Sequence, residues 1–81
     1  MKEEMIKFTR IEVNPAILTG KPIIRGTRIP VELIIKLVAQ RRTDEQIIQE
    51  YPMLKKEDIK EALLYVEKLV KDEEVYPILG H

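Results

Sequence analysis

The segment Gly20-Lys21-Pro22-Ile23-Ile24-Arg25-Gly26-Thr27-Arg28-Ile29-Pro30-Val31 constrains the fold more than any other stretch of this chain. Two glycines, two prolines and three cations share these dozen positions. Proline lacks an N–H and glycine carries a large entropic cost, so a helix interior cannot hold the pattern. It must be extended chain and tight turn, studded with positive charge and leading at Pro30 into an apolar helical stretch. A basic turn beside short helices is the outline of a nucleic-acid-binding module.

At 81 residues the chain suffices for one small domain. It divides into N-terminal strands and basic turn (5–29), a tri-helical core (30–71) and a tail (72–81). A domain of this size buries only roughly 60–65% of its unfolded surface, so dimerisation is a common remedy. There is no cysteine, which excludes disulfides and thiolate metal sites and fits a reducing cytoplasm. No apolar run is long enough to span a membrane, and Met1-Lys2-Glu3-Glu4 opens no signal peptide. A cytoplasmic protein is expected. The high charged fraction, rich in Lys, Glu and Ile, matches a profile common in thermophiles.

Net charge is zero but unevenly placed. Residues 21–42 carry six cations (Lys21, Arg25, Arg28, Lys36, Arg41, Arg42) against Glu32 alone. Residues 43–81 carry five lysines against ten acids. The middle segment attracts a polyanion and the C-terminal part repels one. Every arginine lies between Arg10 and Arg42, and guanidinium is the better phosphate fork.

Residues 5–13 read as extended chain. Ile6 and Phe8 share one face, Ile11 and Val13 the other, and the phase slips at Thr9-Arg10, which predicts a bulge or two short strands. Asn14-Pro15 is a helix-start pair and Gly20 a stop, so one helical turn is expected over 15–18. A first helix over 30–40 places Val31, Ile34, Ile35 and Val38 on one face. Thr43 with Gln46 forms a capping box for a second helix, which Pro52 ends. A third runs over 56–71 with Ile59, Ala62, Leu63, Val66 and Val70 inward and a Glu67–Lys71 pair on its surface. Lys55 stands where its cap belongs and cannot accept a backbone N–H, while Glu57 and Asp58 favour the helix dipole.

The second and third helices with their short link match a helix-turn-helix, in which Lys55, Lys56 and Lys60 would face the DNA groove. A plain helical bundle is the alternative. Against base-specific readout, that helix also carries Glu57, Asp58 and Glu61 and lacks Asn, Gln or Arg. In the Arg25-Gly26-Thr27-Arg28 turn, exposed N–H groups, a hydroxyl and two guanidiniums could clamp phosphate. Alternatively Gly26 supplies only a positive φ, Thr27 bonds a local carbonyl, and the arginines pair with Glu32 or the acidic last helix. His81 is the only histidine and is terminal. No metal-ligand spacing, phosphate loop or nucleophile motif is present, so neither catalysis nor a cofactor is expected.

The string Asn14-Pro15-x-Ile17-Leu18-x-Gly20-Lys21-Pro22-x-Ile24-x-Gly26-Thr27-Arg28-Ile29-x-Val31 resembles the signature of the domain-of-unknown-function family numbered 433. The continuation fits as well: Thr43-x-Glu45-x-Ile47-Ile48-x-Glu50-Tyr51-Pro52-x-Leu54-x-x-Glu57-Asp58-Ile59-x-x-Ala62-Leu63-x-Tyr65. The likeness covers roughly residues 9–70. It implies a small prokaryotic protein with a homeodomain-like helix-turn-helix core, antitoxin-like and often paired with a nuclease toxin of the PIN type. Two positions depart from the pattern. Lys55 replaces a Ser or Thr before the last helix, and Arg41-Arg42 stand where a glycine is usual.

The expected protein is therefore mostly α, a tri-helical helix-turn-helix core with a short N-terminal β segment. Its expected role is an antitoxin-like DNA-binding autoregulator of a toxin–antitoxin pair. The residues expected on nucleic acid are Lys21, Arg25, Thr27, Arg28, Arg41, Arg42, Lys55, Lys56 and Lys60. The alternative is a protein-interaction module that neutralises a nuclease-type toxin, docking through Val75, Tyr76, Ile78 and Leu79 of the apolar tail. A homodimer is expected from the small size, the unpaired strand edge and that tail.

Overall fold

The turn-forming basic segment folds back on the N-terminal strand. In the computed structural model, which describes residues 8–73, β1 (Ile11–Val13) pairs antiparallel with β2 (Pro22–Ile24) in the register Ile11 to Ile24 and Val13 to Pro22. Three helices follow: α1 (Val31–Ala39), α2 (Asp44–Glu50) and α3 (Lys56–Glu73). The fold is thus mostly α with a small N-terminal sheet. Ile11, Ile24, Ile34, Ile47 and Ile59, one from every strand and helix, meet in a single core. Phe8 adds an edge-to-face contact with Tyr65, the rings 5.4 Å apart. Among the described residues no helix is long and apolar enough to cross a membrane.

Thr9 and Arg10 form a turn closed by a hydrogen bond from the Ile11 N–H to the Phe8 carbonyl, so the strand starts only at Ile11. The expected extended stretch before Phe8 and the expected docking residues Val75, Tyr76, Ile78 and Leu79 lie outside the described residues. The helical turn expected over 15–18 does not form. The Asn14 carboxamide oxygen accepts from the Ala16 N–H and the Asn14 carbonyl from the Ile17 N–H, making a β-turn with Pro15 at its second position. Leu18, Thr19 and Gly20 then follow with positive φ, a left-handed turn. Asn-Pro starts turns as readily as helices.

The helix-capping signals are realised. Thr43 accepts from the Gln46 N–H while the Gln46 side chain accepts from the Thr43 N–H. α2 ends at Glu50, just before Tyr51-Pro52. The end of α1 is less obvious from sequence. The Arg42 N–H reaches the Leu37 carbonyl and the Arg41 N–H the Val38 carbonyl, a complete Schellman motif. Its left-handed position is Arg41, at φ +67, where glycine is the usual occupant. A left-handed non-glycine residue costs about 1–2 kcal/mol, and glycine loses about 0.5–1 kcal/mol more on ordering. Arg41→Gly is therefore expected to stabilise the domain by about 0.5–1 kcal/mol, a rise in melting temperature of about 4 °C on thermal unfolding followed by circular dichroism.

Candidate nucleic-acid interface

The acidic face expected on α3 is not where a solvated helix would leave it. Asp58 is only 4% exposed. Its Oδ1 accepts from the Arg10 Nε at 2.5 Å and its Oδ2 from the Lys55 N–H at 2.9 Å. Asp58 thus supplies from the first turn the cap that Lys55 cannot provide, as half of a capping box. Glu61, one turn on, accepts the Arg10 backbone N–H at 2.6 Å. The Arg10 guanidinium is held above its ordinary pKa chiefly by the hydrogen bond to Asp58, and the charges of Glu57 and Glu61 add to this. A dipole-and-solubility role for Asp58 is therefore replaced by a partly buried ion pair, formed because the Thr9-Arg10 turn places the guanidinium against the start of α3.

With two of its three acids drawn toward Arg10, the exposed start of α3 presents Lys55, Lys56, Glu57 and Lys60. Lys56 reaches Glu45 of α2 at 3.3 Å, with both side chains well exposed. That pair, in the first turn of α2, also holds the Glu45 carboxyl below its usual pKa, after the larger effect of Glu45's own backbone N–H. A pair this exposed is screened by solvent and adds little to stability.

The Arg25-Gly26-Thr27-Arg28 turn is built from internal hydrogen bonds. Gly26 has φ +82 at the third position of a turn closed by the Thr27 N–H on the Ile24 carbonyl, the geometry of a type II turn. The Thr27 hydroxyl donates to the Ile24 carbonyl and accepts from the Ile29 N–H. It is spent on the turn, and its expected phosphate contact has no free hydroxyl proton. Arg25 bends back on β1, with Nε 2.7 Å from the Thr9 carbonyl and Nη2 3.3 Å from the Ile11 carbonyl. It also lines a small cleft with Thr9, Arg10 and Asp58. Only Arg28 points its charge outward from this turn. It lines an open cleft of about 780 Å³ together with Glu12 and with Tyr51 and Met53 of the α2–α3 connection.

The remaining candidates lie elsewhere. Lys21 pairs with Glu32 at 2.9 Å and lines a different cleft, against α1. Arg42 pairs with Glu50 across α2. Arg41 is exposed at the α1–α2 junction. The cations of residues 21–42 are thus divided among several places and do not gather on the single basic surface expected; Lys55, Lys56 and Lys60 are exposed at the opening of α3. Among the described residues no acid lies within ion-pair distance of Arg28, Arg41, Lys55 or Lys60.

Arg10, the residue that organises this site, was not among the sequence candidates. The one signal for it was the break in strand phase at Thr9-Arg10, opposite an acid at the third position of an uncapped helix. Asp58→Ala is expected to cost about 2 kcal/mol in urea unfolding, because the Lys55 N–H and the Arg10 guanidinium both lose their acceptor. A double-mutant cycle with Arg10→Ala should show a coupling of at least about 1 kcal/mol.

A solved structure shares this architecture. A crystal structure of a DUF433 member from Anabaena variabilis superposes with a TM-score of 0.71 at 32% identity, covering 78% of this chain and 62% of that one. The uncharacterized protein y4eO of Sinorhizobium fredii is 39% identical over 54 residues, which make up 67% of this chain but 24% of y4eO. The chain thus spans less than two thirds of either relative. The family model described as a protein of unknown function, DUF433, matches residues 11–66. From β1 through most of α3, this chain belongs to the DUF433 family.

Proposed function

We propose that this chain acts by binding rather than by catalysis, and that it holds duplex DNA on the opening turns of α3 and on Arg28, which shares a cleft with the α2–α3 connection. The observation that carries this reading is the capture of Asp58 and Glu61 by Arg10. It leaves three lysines facing Glu57 alone on the exposed start of the helix. Lysine is a point charge suited to phosphate, and no Asn, Gln or Arg is present on α3 to read base edges. The contact is therefore dominated by the backbone and tolerant of sequence. In the setting that the family resemblance implies, the protein is an antitoxin-like autoregulator paired with a PIN-type nuclease toxin.

Lys21, Arg25 and Arg42 are engaged within the fold, so fewer phosphates are held than the cation count of the middle segment suggests. With Arg28, Lys55 and Lys60 as the unpaired set, the log–log salt slope is about −3. Fluorescence anisotropy with a labelled duplex from upstream of its own coding sequence, between about 50 and 200 mM salt, measures it. Removing Arg28, Lys55 or Lys60 singly should flatten the slope by about 1, and Lys21→Ala should leave it unchanged. A salt-independent response, or none at low salt, would overturn the reading.

A second reading is favoured by a separate observation. The far end of α3 carries exposed Leu64, Leu69 and Val70, which suits docking to protein rather than to DNA.

A further inference from the structure

The inward stripe of α3 outruns the core it packs on. Ile59 and Ala62 are buried and Val66 is partly buried, but beyond Val66 the apolar residues Leu69 and Val70 are exposed. Leu69 is 47% and Val70 61% exposed. The stripe therefore runs on past the core, with Leu69 still at the α1–α3 groove and Val70 exposed beyond it. There, α1 and α3 enclose a groove of about 460 Å³, lined by Val31, Ile35, Val66 and Leu69. An apolar knob and an apolar hole thus lie side by side on one face.

We propose that a second copy of this chain covers that face, with the distal turns of each α3 seated in the groove of the other. A two-fold interface requires one surface to be its own complement, and a knob beside a hole meets that requirement. The charges point to the same occupant. Lys21 and Lys68 are each neutralised within the copy, by Glu32 and Asp72. The expected Glu67–Lys71 pair is not among the salt bridges; Lys68 and Asp72 pair instead. This leaves Lys36, on the α1 lip of the groove, and Glu67, on the distal helix, with no ion-pair partner among the described residues. A two-fold axis brings each to the other twice, one pair on either side of the apolar contact.

Sedimentation velocity on the full chain tests this without DNA, so its outcome is separable from that of the duplex experiment. The wild-type chain is expected to sediment as a dimer. Leu69→Lys combined with Val70→Glu should give a 9.5 kDa monomer with unchanged helical circular dichroism, because both residues are already exposed. Lys36→Glu and Glu67→Lys should each weaken association about tenfold through like-charge contact, and the double swap should restore it. A wild-type monomer at about 100 µM, well above the Kd of a micromolar contact, would overturn the proposal and assign the face to residues 74–81 or to an unlike protein. A dimer that survives the Leu69/Val70 double substitution, or a charge swap that fails to restore association, would overturn it as well.

Discussion

The ion pair between Arg10 and Asp58 ties the two ends of the fold together. Asp58 sits in the first turn of α3 and Arg10 in the turn that leads into β1, 48 residues earlier in the chain. Without the pair, the Glu61 carboxylate on the Arg10 N–H would be the remaining hydrogen bond from this turn to α3, and α3 would begin on a lysine that cannot cap it. One carboxylate serves both needs because its two oxygens face different donors. Its burial is tolerated because both oxygens are satisfied, and no buried polar side-chain atom among the described residues lacks a partner. The pair also decides what α3 shows to solvent, since it withdraws negative charge from the lysine-bearing face.

The helical layer was largely legible from residue order, because its signals are local. The Thr43–Gln46 capping box, the apolar spacing from Val31 to Val38 and the stop at Pro52 each act within a few residues, and each is realised. The N-terminal segment was harder to read for the same reason. Asn14-Pro15 is compatible with a helix start and with a β-turn, and only the pairing of β1 with β2 requires the chain to reverse there.

The candidate site was only partly legible. Positive charge in the middle third is plain in the sequence, but its use depends on contacts between distant elements. Arg25 turns to the carbonyls of residues 9 and 11, Arg42 to α2, and Lys21 to α1. No spacing rule announces a cation that will be consumed by a carbonyl 14 or 16 residues away. Arg28 stays outward because the type II turn at Gly26 spends its hydrogen bonds on Thr27 and Ile24 and leaves the next side chain unclaimed.

Arg25 has one more consequence. The Arg25 N–H bonds to the Arg10 carbonyl, and strand alternation then turns the Ile11 carbonyl away from β2, toward the side where a third strand would add. The guanidinium occupies that position, bonding the Ile11 and Thr9 carbonyls as a neighbouring backbone would, but with a charge that no incoming strand can extend. A two-stranded ribbon with an open flank is a template for polymerisation. Here one side chain terminates it, and among the described residues the sheet stays at two strands.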